Sequence, residues 1–341
     1  MRFSPRTAGW VAAGVTVVAW TAFILVARAS AHRSLTPFDL SFLRFCGAAA
    51  VLLPWGWRLA RADRAAGAAA SSLGGLSPLP LGPTVAMGAF GGLAYGMLAY
   101  AGFFFAPAAH AAVLLPGSLP LWTALLAWAV LGDRIGRGRA FGLALIVVGD
   151  LLVGGASLLA AFDGGSVWKG DLLFMAAAMS WAVYSVLARR HRAEAVRATI
   201  AIVAFAACSY VPLYAALAAT GAVPSRLGTA PWTEIGFQLL FQGVLAVAVA
   251  GIAFTRMVQA FGPVRSTMIT SMVPALAALG AVLLLGESLG WNQAAGLLLV
   301  TGGIVFGVRS SSAACAPAPS LSSPFAAKTI ATSPHSTLGK G

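Results

Sequence analysis

The sequence predicts an all-α integral membrane protein, with ten transmembrane helices arranged as two inverted sets of five. Three observations carry that reading. The 341 residues are 59% hydrophobic and only 9% charged, with a mean hydropathy of +0.87, whereas soluble domains hold roughly 25% charged residues. Ten windows are long and apolar enough to cross a hydrocarbon core of about 30 Å as helices, which bond every backbone polar group internally. The two halves of the chain also match each other in sequence, and an odd number of helices per half turns the second upside down in the membrane.

Taken in order, the expected spans are 8 to 28, 37 to 57, 84 to 106, 109 to 131 and 139 to 160, then 168 to 188, 198 to 219, 234 to 257, 264 to 285 and 290 to 309. The first follows Arg2 and Arg6 and ends near Ala29-Ser30-Ala31, a pattern a cleaved signal peptide would share; its counterpart in the sixth span marks it as a structural helix. The second contains Arg44-Phe45. The third carries Gly88, Gly92 and Gly96 on one face, a small-residue stripe that lets another helix approach closely. The fourth opens at His110, read as an interfacial histidine or a pH-sensitive gate, and holds Pro116 and Pro120, which free backbone carbonyls and can bend it. The fifth is glycine-rich and includes Asp150. The eighth bears Glu234, Gln238 and Gln242 at four-residue spacing, and the ninth holds Ser271 and Pro274.

Loops are short, and no extramembrane domain fits. Residues 58 to 83 read as an Arg/Ala/Gly/Ser/Pro linker, and 310 to 341 as a disordered cytoplasmic tail. The expected units are therefore 1 to 160, 161 to 309 and that tail. A net charge of +13 would suggest nucleic acid in a soluble protein. Here the cations lie between apolar runs, fifteen at one set of helix ends against four at the other. The positive-inside rule then puts both termini in the cytoplasm of a cell's inner membrane, and no nucleic-acid partner is expected. Cys46, Cys208 and Cys315 are too scattered for a disulfide framework, and the four histidines, His32, His110, His191 and His335, form no metal-spaced cluster. No metal, cofactor or catalytic arrangement is expected.

The repeat is explicit. A shift of 154 residues lays Pro120 on Pro274, Gly132 on Gly286, Asp133 on Glu287, Gly142 on Gly296 and Gly149 on Gly303. A shift of 161 lays Gly9 on Gly170, Trp20 on Trp181, Phe23 on Tyr184, Ala27 on Ala188 and Arg28 on Arg189. Inverted repeats of this kind hold substrate near the midplane, between halves that rock against each other.

These residues, with Arg44-Phe45, Leu119-Pro120, Gly170-Asp171, Ser180-Trp181-Ala182 and Val273-Pro274, make the chain resemble the drug/metabolite transporter superfamily, in its ten-helix EamA-type branch, over residues 8 to 309. The resemblance implies a cavity lined by spans 1, 3, 4, 6, 8 and 9, backed by the others, and export of small metabolites such as amino acids. Asp133 stands where the family usually has Glu, and Asp150 where it has an apolar residue.

An ionisable group at the bilayer centre is costly enough to be a functional hypothesis by default. Arg44 and Asp150 lie at similar depth with opposite charge, so a pair is expected, either a structural salt bridge or a coupling site in which Asp150 takes a proton and Arg44 meets an anion. The family plan keeps Arg44 out of the cavity. Substrate-binding candidates are Trp20, Tyr95, Ser118, Trp181, Gln238, Gln242 and Ser271, with the glutamines serving as a pathway or as interhelical glue. Asp133 and Glu287 are expected to cap helices or pair with arginines on opposite sides of the membrane. The reading is an alternating-access carrier of a small molecule, with membrane lipid as its other partner; proton coupling and a homodimer stay open. A proton-coupled multidrug exporter is the alternative, although the first span lacks the glutamate that small multidrug carriers use. A non-transporting membrane protein or a membrane-embedded enzyme is the second.

Overall fold

The computed structural model describes residues 5–31, 33–67 and 71–314. Arg2, His32, Cys315, His335 and the rest of the expected tail lie outside the described residues. Among the described residues, ten helices are long and apolar enough to cross a membrane: α1 (Thr7–Ser30), α2 (Pro37–Ala65), α3 (Leu81–Phe105), α4 (Ala108–Leu131), α5 (Arg137–Asp163), α6 (Val167–Arg190), α7 (Ala195–Ala219), α8 (Trp232–Phe261), α9 (Met268–Leu285) and α10 (Trp291–Ser310). The face at which α1 begins is called the near face, and the face at which it ends the far face.

Local chemistry sets the helix ends. Thr36 caps α2: its hydroxyl accepts from the Asp39 N–H at 3.1 Å while the Asp39 carboxylate accepts from the Thr36 N–H at 2.9 Å, a reciprocal capping box. The same carboxylate accepts from the Tyr214 and Ser225 hydroxyls and the Arg226 N–H, tying α2 to α7 at the far face. The helix runs to Ala65, beyond the expected end at 57, because Arg58, Arg61 and Arg64 are good helix formers, and Arg61 lies over the Trp57 ring. Gly132 and Gly286 stop α4 and α9 with φ of 71° and 67°, a left-handed turn that costs a side-chain-bearing residue roughly 1 kcal/mol or more. Backbone helix also continues past 309 to Ala314. Exposed tryptophans mark both interfaces: Trp10, Trp57 and Trp128 at near-face ends, Trp232 and Trp291 at far-face ends.

Packing follows a pseudo-two-fold axis. α1 packs on α8 and α9, and α6 packs on α3 and α4; these are two equivalent three-helix bundles. The halves interlock outside them, α2 lying on α8 and α7 on α3. α5 and α10 cross on the axis, where a Cβ on Gly142 would stand 2.6 Å from the Gly303 carbonyl oxygen and one on Gly149 2.7 Å from that of Gly296. Those are the four glycines that coincide in the repeat. In lipid, where apolar surface gains nothing from leaving water, such close backbone approach is what holds helices together.

Candidate functional site

Between the two bundles lies a cavity of about 410 Å³, reaching from the near-face turn at Ala193 to the level of Trp20, Arg44 and Trp181. A chamber of about 110 Å³ shares those residues and extends towards Leu115 and Pro116. Trp20 of α1 stacks on Phe254 of α8 with ring centroids 5.2 Å apart. Trp181 of α6 lies 4.7 Å from Tyr95 of α3 and 5.0 Å from Tyr184. The Trp181 position has a local cause. The preceding Ser180 donates to the Phe90 carbonyl at 2.7 Å, within a π-helical stretch of α3 at Gly88–Ala94, so α6 is anchored with its next residue turned towards the space between the bundles. α8 has a matching π-helical stretch at Leu239–Val249.

The far side is sealed. Phe23 packs edge-on against Tyr100 and Phe103, with centroids 6.0 and 6.4 Å away. Arg28 pairs with Glu287 at 2.6 Å and also donates to the Phe103 carbonyl at 2.7 Å, while Glu287 accepts from the Ala108 N–H at 2.8 Å. This one ion pair thus joins α1 and α9 of one bundle to the α3–α4 corner of the other. Its repeat-equivalent, Arg189 with Asp133, is bidentate at 2.7 and 3.0 Å and lies exposed at the near face. The Asp133 carboxyl is held below the usual carboxylate range by its hydrogen bond to Arg189.

Comparison with known proteins decides the family. The model of the EamA-like transporter family matches residues 7–155 and again 168–309. The chain belongs to the EamA-like transporter family. This EamA-like protein is accordingly a multi-pass membrane transporter of small solutes. No curated protein matches it. Several solved structures are similar in fold, among them a crystal structure at 22% sequence identity and a TM-score of 0.52, covering 91% of this chain and 98% of that one.

Within this EamA-like fold the expected site residues separate into groups. Trp20, Tyr95 and Trp181 line the central space. Ser118 and Ser271 are buried and bond within their own chain segment, to the carbonyls of Leu114 and Met268, instead of lining it. Gln242 accepts from the Tyr100 hydroxyl at 2.9 Å, and Gln238 donates to Ser30 at 2.7 Å. Both link helices; Gln238 borders a separate far-face depression of about 480 Å³ with Arg33 and Glu234. His110 is buried, with Nδ1 on Asp171 at 2.8 Å and Nε2 on Gln293 at 2.9 Å, and Ser157 bonds the other Asp171 oxygen. That network joins α4, α5, α6 and α10 and lines neither central chamber.

The expected pair of Arg44 and Asp150 is not formed. α2 packs on α8, where a Cβ on Gly47 would meet the Leu239 carbonyl oxygen at 2.2 Å, and this contact draws Arg44, one turn earlier, inward against α1. Its guanidinium carbon lies 5.3 Å from the Phe23 ring centroid, and it lines both chambers. Asp150 follows Gly149, which abuts α10, and neither of its carboxylate oxygens has a hydrogen-bond partner. The family plan misses Arg44 because it assigns whole helices, whereas a long side chain reaches past a neighbouring helix. Phe23, Tyr184 and Phe254 also belong to the lining. The first two were detectable: Trp20-x-x-Phe23 repeats as Trp181-x-x-Tyr184, one helical turn apart in both halves.

Proposed function

We propose that this protein is an inner-membrane exporter that moves a small solute by alternating access, with both termini in the cytoplasm and the near face inward. The observation that carries the reading is the shape of the central space. It reaches the near-face turn at Ala193, sits between two bundles related by the repeat, and is faced at the far side by side chains that bind the opposite bundle's backbone. Rocking the bundles would exchange the open and sealed ends. The excess of arginines at near-face helix ends supports the orientation. A multidrug/proton exporter has less support, since no carboxylate among the described residues lines either chamber.

Two measurements test this. A cysteine at Thr199, on the near-face lining, should react with a membrane-impermeant maleimide in inside-out vesicles and resist it in right-side-out ones. Metabolite profiling of cells expressing the protein should find compounds enriched in the medium, with the enrichment lost in Trp181→Ala. Medium profiles identical with and without the protein would end the export reading.

A further inference from the structure

We propose that the central cavity selects small organic monoanions, with Arg44 receiving the carboxylate and Trp20, Tyr95 and Trp181 enclosing an apolar or aromatic body. This rests on the reading of that cavity as the solute site. Among the described residues lining its two chambers, Arg44 carries the single formal charge, with no Asp, Glu, Lys or His beside it. No carboxylate lies within ion-pair distance of Arg44 among the described residues, and its Nη1 has no hydrogen-bond partner. What surrounds it is neutral: the Phe23 ring and the phenols of Tyr95 and Tyr100. The Tyr100 proton is already donated to Gln242, so that residue helps orient the site without balancing its charge.

An unbalanced guanidinium inside a bilayer is expensive, and such groups face water-filled pathways or ligands. Its planar fork matches the two oxygens of a carboxylate, and the low dielectric between the bundles strengthens that pairing. The same chemistry rejects cations. An α-amino acid would place its ammonium one carbon from the carboxylate, beside Arg44 and with no anionic side chain to receive it. Aryl and alkyl carboxylates therefore fit this cavity better than amines or zwitterionic amino acids, which narrows the amino-acid expectation drawn from the sequence.

The test uses four compounds with one phenyl body, 3-phenylpropionate, 3-phenylpropionamide, phenethylamine and phenylalanine. Each is titrated calorimetrically into the full-length protein purified in detergent. Phenylpropionate should bind wild type most tightly, roughly tenfold or more above the amide, as expected for a charge-assisted hydrogen bond. In Arg44→Gln the ratio of anion to amide binding should fall to about one, and Arg44→Lys should restore part of it. Trp181→Ala should weaken all binders together. Amine or phenylalanine binding as tight as phenylpropionate, or an anion preference that survives Arg44→Gln, overturns the proposal and leaves the solute site standing where Trp181→Ala still weakens binding. No binding by any compound, or binding indifferent to Trp181→Ala, overturns the solute-site reading and this proposal with it. The wild-type ranking decides even if Arg44→Gln fails to fold.

Discussion

Arg28 with Glu287 and Arg189 with Asp133 occupy equivalent places in the two halves, yet only the first closes a face. The side chains of the far-face pair are 19% and 15% exposed and are bonded to the backbone of the other bundle; those of the near-face pair are 60% and 28% exposed and bond each other. An ion pair within one bundle is therefore a part that either end can use. What distinguishes a sealed end from an open one is whether the pair docks across the gap. The same contrast runs through the helix crossings. A Cβ on Gly47 would collide with backbone of α8, the Leu239 carbonyl oxygen at 2.2 Å, whereas one on Gly92, at the matching α3–α7 crossing, would meet a methyl of Ile202 at 2.8 Å.

Five substitutions would break or sharpen this comparison. The largest effect is expected from Gly47→Ala. Backbone cannot move aside as a side chain can, so α2 must leave α8, with an expected loss of about 3 kcal/mol or more against about 1 kcal/mol for Gly92→Ala. Thermal unfolding of the two purified variants compares them directly, and equal midpoints would erase the distinction between the crossings. Next is Arg28→Ala, which strands a partly buried carboxylate and unlatches the far face. About 2 to 3 kcal/mol should be lost, and a cysteine placed at Phe23 should become reactive to impermeant reagent from the far side.

Asp133→Asn should lose less than about 1 kcal/mol, as exposed pairs do. The pH dependence has a definite sign. Because Arg189 holds the folded Asp133 carboxyl below its ordinary range, the pair's contribution is complete above that range and is lost as pH falls through the lowered value. The wild-type and Asp133→Asn unfolding midpoints should therefore converge in acid; a gap that widens there would contradict the assignment. The smallest effect is expected from Asp150→Asn. Asp150 lines neither chamber, so export by the variant should match wild type across pH, and a shifted pH profile would return Asp150 to the coupling role.

Much of the fold was legible because lipid imposes it. Helix length, the left-handed stops at Gly132 and Gly286, and the four matched glycines of α5 and α10 follow from bilayer thickness, glycine's permitted φ and close backbone approach. The site was legible only where the repeat marked it. Trp20 and Trp181 stood out as an equivalent pair and both line the cavity, whereas the four-residue stripe of Glu234, Gln238 and Gln242 identified a buried face of α8 without saying whether solute or another helix covers it. Ser118 and Ser271 had suitable depth, but each hydroxyl is taken up by a nearby carbonyl, a choice that depends on rotamer and not on sequence position.

By itself, then, the sequence determined ten spans and the inversion of the second five, because both depend on composition and periodicity along one chain, and its motifs carried the resemblance to the family. Only the tertiary structure decided that Arg44 faces the cavity and Asp150 does not. Depth in the membrane is a coordinate along the helix and can be counted residue by residue. The direction in which a side chain points depends on which neighbouring helix comes closest, and here that was settled by two glycines 196 residues apart, Gly47 and Gly243, whose backbones touch.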